Sequence, residues 1–149
     1  MPMSPEQFAQ MLEDASDYCD SGEFEDALRE TLPVFTDGFD QNFHRAEDSS
    51  GVPWPPRKDK KPHPLLVLSG ALIESARDTG GAGNIHQVSG RLATLGIDGS
   101  VIPYAAAQNY GYEPRNLPAR EYLYAAEDTI QVAAEAFRPA ASEAIFPAL

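Results

Sequence analysis

Basic residues are scarce in this sequence: 11 Lys and Arg stand against 23 Asp and Glu, a formal charge of −12 over 149 residues. Nucleic-acid binding depends on clustered Lys and Arg that neutralise phosphates, so this balance argues against a protein that reads DNA or RNA sequence. Cys19 is the only cysteine, which excludes an internal disulfide and a four-cysteine zinc site and makes a reducing cytoplasm the natural folding compartment. The histidines, His44, His63 and His86, lie 19 and 23 residues apart, and no His-Glu-x-x-His pair or cysteine partner completes a metal set. No run approaches the ~20 apolar residues of a membrane span. Residues Met1 to Glu6 carry neither the basic region nor the apolar run of a signal peptide. The expectation is a soluble chain that does not use that export route and binds no metal or cofactor.

Catalytic motifs are also sparse. Ser69 and Ser75 lack the Gly-x-Ser-x-Gly frame of a nucleophile elbow. The glycines of 80–83 are not followed by the Gly-Lys-Ser or Gly-Lys-Thr of a phosphate loop. Asp78-Thr79-Gly80 matches the loop that carries the aspartate of aspartic proteases, but that loop normally leaves a buried strand, whereas here it follows Glu74-Ser75-Ala76-Arg77 at an expected helix end. Asp78 is therefore the single candidate for a small hydrolase, the alternative to a protein that acts by contact.

What is present suits one domain, since 149 residues with 42% hydrophobic content close one core but not two comfortable ones. Ser4-Pro5-Glu6-Gln7 is a capping box with proline at the first helical position, and Phe8, Met11, Leu12 and Ala15 follow at helical spacing. This predicts a helix over 5–19. After Ser21-Gly22, Phe24, Leu28, Leu32, Phe35, Phe39 and Phe43 recur every three or four residues and predict a core-facing stripe. Pro33 lies inside it, so two helical pieces or a kink are expected within the helical region of 5–47.

Residues 48–64 read as a proline-rich arm, ordered but not helical, punctuated by Gly51, Pro53, Pro55, Pro56, Pro62 and Pro64. Trp54 either anchors this arm onto the body or meets a neighbouring subunit. Over 65–137 we expect an α+β body: a short helix beginning near Ser69, a flexible turn at 78–83, two or three antiparallel strands over 85–101, a short helix over 104–110 closed by Gly111, and a last helix that follows Pro118. Leu123, Ile130, Ala133 and Phe137 would share one side of that helix until Pro139 stops it, leaving 138–149 as a tail. N-terminal helices, a small antiparallel sheet and a C-terminal helix make the expected class α+β. Charge is uneven: residues 1–48 hold 13 acids against Arg29 and Arg45, whereas Arg57, Lys58, Lys60 and Lys61 surround only Asp59. Such asymmetry can pair unlike surfaces in an assembly.

Four short blocks occur in an informative order. They are Gly51-Val52-Pro53-Trp54; His63-Pro64-Leu65-Leu66 running into Ser69-Gly70-Ala71-Leu72-Ile73-Glu74-Ser75; Tyr104-Ala105-Ala106-Ala107-Gln108-Asn109-Tyr110-Gly111; and Leu117-Pro118-Ala119-Arg120-Glu121-Tyr122-Leu123. In this order they resemble the phage virion morphogenesis family, the Mu- and P2-like tail-completion proteins, which are in turn similar to the neck proteins of long-tailed phages. The resemblance covers residues 24–137. Ser69 stands where threonine is usual, Glu121 where proline is common, and Tyr124 where glycine often follows the leucine.

The resemblance implies a structural virion protein, made in the host bacterial cytoplasm, that completes the tail or joins it to the head without catalysis. It implies self-association into a ring, hexameric in long-tailed phages, beside neck, tail-terminator or tail-tube proteins, with DNA passing through the channel without sequence-specific binding. An acidic channel wall would repel the passing phosphates. The candidate contact residues are Trp54, Arg57, Lys58, Lys60, Lys61, Gln108 and Arg120. Gly70 would permit close helix approach and Gly111 a turn with positive φ. Arg120 would set its guanidinium on a carboxylate or on carbonyls, within the chain or at a neighbouring edge. Asp78→Asn separates the virion protein from the hydrolase: particle assembly is expected to tolerate it, and loss of a hydrolytic activity in that variant would favour the enzyme; an adaptor domain outside any virion is a third reading, which no feature of the sequence singles out.

Overall fold

The computed structural model describes residues 3–145 and is an α+β domain of five helices and one two-stranded antiparallel sheet. Helix α1, Pro5–Cys19, opens with the expected box: Ser4 Oγ accepts from Gln7 N at 3.2 Å and Gln7 Oε1 accepts from Ser4 N at 2.8 Å. Helix α2, Gly22–Arg45, is capped by Ser21 and ends where Ala46 turns left-handed at φ 53°. It continues as one helix through Pro33, so of the two pieces or the kink expected there, the two pieces do not form. Pro33 lies on the exposed side of the helix, where water can take over the carbonyl that has lost its N–H partner.

Helix α2 is the spine. Phe39 and Phe43, from its apolar stripe, join Trp54, Leu72, Ile73, Ala76, Ile102, Ala105 and Tyr122 in the core. Phe43 packs 5.0 Å from the Tyr122 ring and 6.2 Å, edge to face, from Trp54. A second aromatic chain, Tyr18 to Phe24 to Phe137, fastens α1 and the last helix to the start of α2. Helix α3 is Ala71–Arg77, close to its expected position. Strands β1, Asn84–Ser89, and β2, Leu92–Ile97, pair with Asn84 opposite Ile97 and Ser89 opposite Leu92. The hairpin tip is tied back to the helices, since Gly90 N donates to Glu25 and Arg91 reaches Asp20 at 2.6 Å. Helix α4 is Ala105–Tyr110, followed by Gly111 at φ 81°.

The last helix, α5, is Glu127–Ile145, and both of its expected ends are wrong. It does not follow Pro118, because residues 118–126 spend their backbone groups sideways. Asn42 Nδ2 donates to Tyr122 O and Tyr124 O, both at 2.9 Å, while Asn109 Oδ1 accepts from Tyr122 N and Leu123 N at 2.9 and 3.0 Å. Backbone held by such partners cannot close helical hydrogen bonds. Leu123 therefore lies outside the helix, and Ile130 is exposed; the covered side is Thr129, Ala133 and Phe137. Pro139, exposed like Pro33, does not stop α5, so the expected tail over 138–149 is helical to Ile145 and its last four residues lie outside the described ones. Where α5 crosses α2, Gly38 is required: a Cβ there would sit 2.6 Å from Thr129 Oγ1.

Asn42 is fully buried and spans 80 residues of sequence to make its two bonds. Asn42→Asp keeps the shape but removes both donations and sets a carboxylate against two carbonyl oxygens. A buried, uncompensated charge costs about 3–5 kcal/mol, so chemical denaturation should show a loss of that order. Tyr122→Phe, which removes only the hydroxyl bond to Ala105 O, is expected to cost about 1 kcal/mol.

Candidate functional site: a basic groove

The arm is built from the end of α2 outward. Ala46 O accepts from Trp54 N at 2.7 Å, and Asp48 Oδ1 accepts from Ser50 N and Val52 N, so residues 47–53 form a closed turn that delivers Trp54 to the core. The indole is 5% exposed and its Nε1 donates to Glu121 O at 3.0 Å. Trp54 therefore anchors the arm and offers no surface to a neighbour, which corrects its place among the contact candidates. The two departures at Glu121 and Tyr124 serve the same anchorage. Glu121 Oε2 accepts from Ser49 N and Oγ at 3.0 and 2.6 Å, and Tyr124 OH donates to Glu47 O at 3.1 Å.

Beyond Trp54 the arm folds over α4 and the 115–120 segment and encloses a groove of about 750 Å³. Its apolar lining comes from Leu65 to Leu68, Leu72 and Tyr104. Its polar lining holds Arg57, Lys58, Arg115 and Arg120 with His63 and Gln108, and among the described residues Asp59 is the one carboxylate that lines it. Four cations thus face one acid in a chain whose overall charge is −12. Leu66 takes a left-handed φ of 62° in this lining, a conformation unfavourable for a residue with a Cβ.

Arg120 is 7% exposed and bonds inward: Nε donates to Pro55 O at 3.0 Å and Nη2 to Pro56 O at 3.3 Å. Of the alternatives open for it, the structure selects carbonyls of its own arm. No carboxylate lies within ion-pair distance of it among the described residues. Burial, and secondarily the Arg57 charge nearby, push its pKa below the ordinary guanidinium value. Arg57 is clamped by Asp59 at 2.7 Å and by His63 O at 2.9 Å, and its hydrogen bond holds the Asp59 carboxyl below the usual range. Lys58 reaches Asn116 O at 3.3 Å. Lys60 and Lys61 are exposed and lie outside the groove lining, Lys61 being 4.0 Å from Asp59.

Gln108 lines the groove, and its backbone oxygen accepts from Arg120 N at 2.9 Å. Gly111 has no room for a side chain, since a Cβ would lie 2.9 Å from Ala119 N. Gly70 differs from its expected role: its φ of 84° starts α3, and nothing crowds the space a Cβ would fill beyond Glu74 Oε1 at 3.8 Å. Asp78 lies outside this groove, exposed at the end of α3, and accepts from Gly80 N at 2.8 Å. The sequence reading missed Arg115, a lone base in an irregular loop, and His63, whose partner is visible only in three dimensions.

Comparison with protein families, curated proteins and solved structures finds no match to this chain.

Arg120 ties the arm to the body through two charge-assisted hydrogen bonds, so Arg120→Met should loosen the arm while Trp54 stays inside. Limited trypsin digestion is expected to cut at Lys58 and Lys60 several-fold faster in the variant. Unchanged cleavage would show that Trp54 and the prolines alone hold the arm.

Proposed function

We propose that this chain is a structural subunit of a phage particle, completing the tail or joining it to the head as one member of a ring, and acting by shape and contact. The observation that carries this reading is how the four resembling blocks meet. Trp54 bonds to Glu121, Arg120 bonds to Pro55 and Pro56, Tyr122 OH donates to Ala105 O at 2.8 Å, and Leu72 and Ile73 share the core with Trp54 and Tyr122. The four blocks, spread over some seventy residues, form one connected body, and the second, third and fourth line one groove. Segments that meet in one core are what the resemblance requires of a common fold.

The charge distribution also supports assembly by contact. The helical half is acidic and the groove is basic, so subunits or neighbours that present acids can be steered to it. A head-to-tail contact closes into a ring when its rotation divides a full turn, and the resemblance supplies sixfold symmetry. Repulsion between chains of charge −12 opposes closure at low salt, so assembly on the neighbours within a particle is the expected route.

Particles purified from cells that express a tagged copy should show the tag by electron microscopy as a ring at the head-proximal end of the tail. Replacing Lys58, Lys60 and Lys61 with serine should leave the monomer folded and lower its incorporation. A tag absent from purified particles, or present only as a scattered decoration, overturns the proposal.

A further inference from the structure

We infer that the groove is a peptide-binding site for a segment of another protein in which a carboxylate sits beside a large apolar side chain. The inference rests on the reading of the groove as the chain's contact surface and names the chemistry of what enters it. Charge selects the carboxylate. Lys58 and Arg115 are exposed in the groove lining, while Nε and Nη2 of the buried Arg120 are taken by carbonyls of the arm. The guanidinium fork of Arg115 matches a carboxylate in two parallel hydrogen bonds, and the charges of Lys58 and Arg120 in the same lining add to its attraction. Asp59 does not fill this role, because Arg57 already holds it at 2.7 Å.

The apolar part of the lining selects the apolar neighbour. Leu65, Leu66 and Val67 are half-buried, while Leu68 and Tyr104 are 74% and 43% exposed. A groove of about 750 Å³ lined by both apolar and cationic side chains is too large for a single inorganic ion and has the size and mixed lining of a site for a short peptide. An inorganic phosphate would satisfy the cations and leave the leucines in water. A plain aliphatic segment would do the reverse.

The full chain can be tested by two-dimensional NMR titration with acetyl-Leu-Asp-Leu-amide, acetyl-Leu-Asn-Leu-amide, acetyl-Gly-Asp-Gly-amide and inorganic phosphate. The first peptide should shift amides of the groove and bind at least tenfold more tightly than the other three probes. Lys58→Ser combined with Arg115→Ser should weaken it at least tenfold with the remaining spectrum unchanged, whereas Lys60→Ser, outside the lining, should not. Equal binding of the asparagine peptide, equal binding of phosphate, or shifts confined to other surfaces overturns the inference. Concentration-dependent self-association that moves the same groove amides would assign the groove to a second copy and equally overturn a distinct partner. Peptide binding is read on the isolated chain, so its failure leaves the particle experiment to stand or fall separately.

Discussion

The side-chain amide of Asn42 holds this domain together at the point where its two halves meet. Placed in the last turn of a helix that otherwise turns phenylalanines inward, it donates both amide protons to carbonyls of residues 122 and 124. That fixes the irregular strip before α5, and the strip then positions nearly everything else near the groove. Glu121 O receives the indole, Arg120 reaches back under the arm, and Tyr122 stacks on Phe43 and bonds to α4. Asn109 completes the support from the other side by accepting two backbone amides. A buried network of this kind specifies one arrangement because each member, if displaced, strands the others without partners.

The electrostatics follow from that geometry. Most bases outside the groove answer nearby acids: Arg45 meets Asp128, Arg77 meets Asp40, and Arg91 meets Asp20. These pairs are exposed, and each contributes little to stability. The groove cations are different because the fold gathers them from three places, the arm, the 115 loop and the strip, where only Asp59 faces them. The chain as a whole carries −12, a long-range field that repels a long nucleic acid approaching the groove.

Much of the fold was legible in the sequence. The capping box of α1, the stripe of α2 and the turn at Gly111 are local signals, decided within a few residues, and each appears where its chemistry places it. The errors share one cause. A helix was expected to follow Pro118, Pro139 to stop one, and Pro33 to split or kink one, because proline's local preferences were weighed without knowing what the surrounding backbone groups would meet. The strip resists helix formation through Asn42 and Asn109, partners far away in sequence, and both prolines within helices sit on exposed sides where water can replace the lost bond. The groove was half legible: Arg57 and Lys58 stood out as a cluster and Arg120 through the resemblance. Arg115 had no local signal, and Trp54 and Arg120 proved to be internal ties.

The reach of the Asn42 bonds also sets a temporal order. Helices α1 and α2 need only local contacts and can form as soon as they are made, whereas closure between residue 42 and residues 122–124 must wait for the intervening chain. On a ribosome, the arm would hang without its anchor and the cations of the groove would stay dispersed until the strip emerged. A nascent chain thus has the acidic helices long before it has the basic groove. The groove therefore comes into being late in synthesis, only after the strip has joined the core.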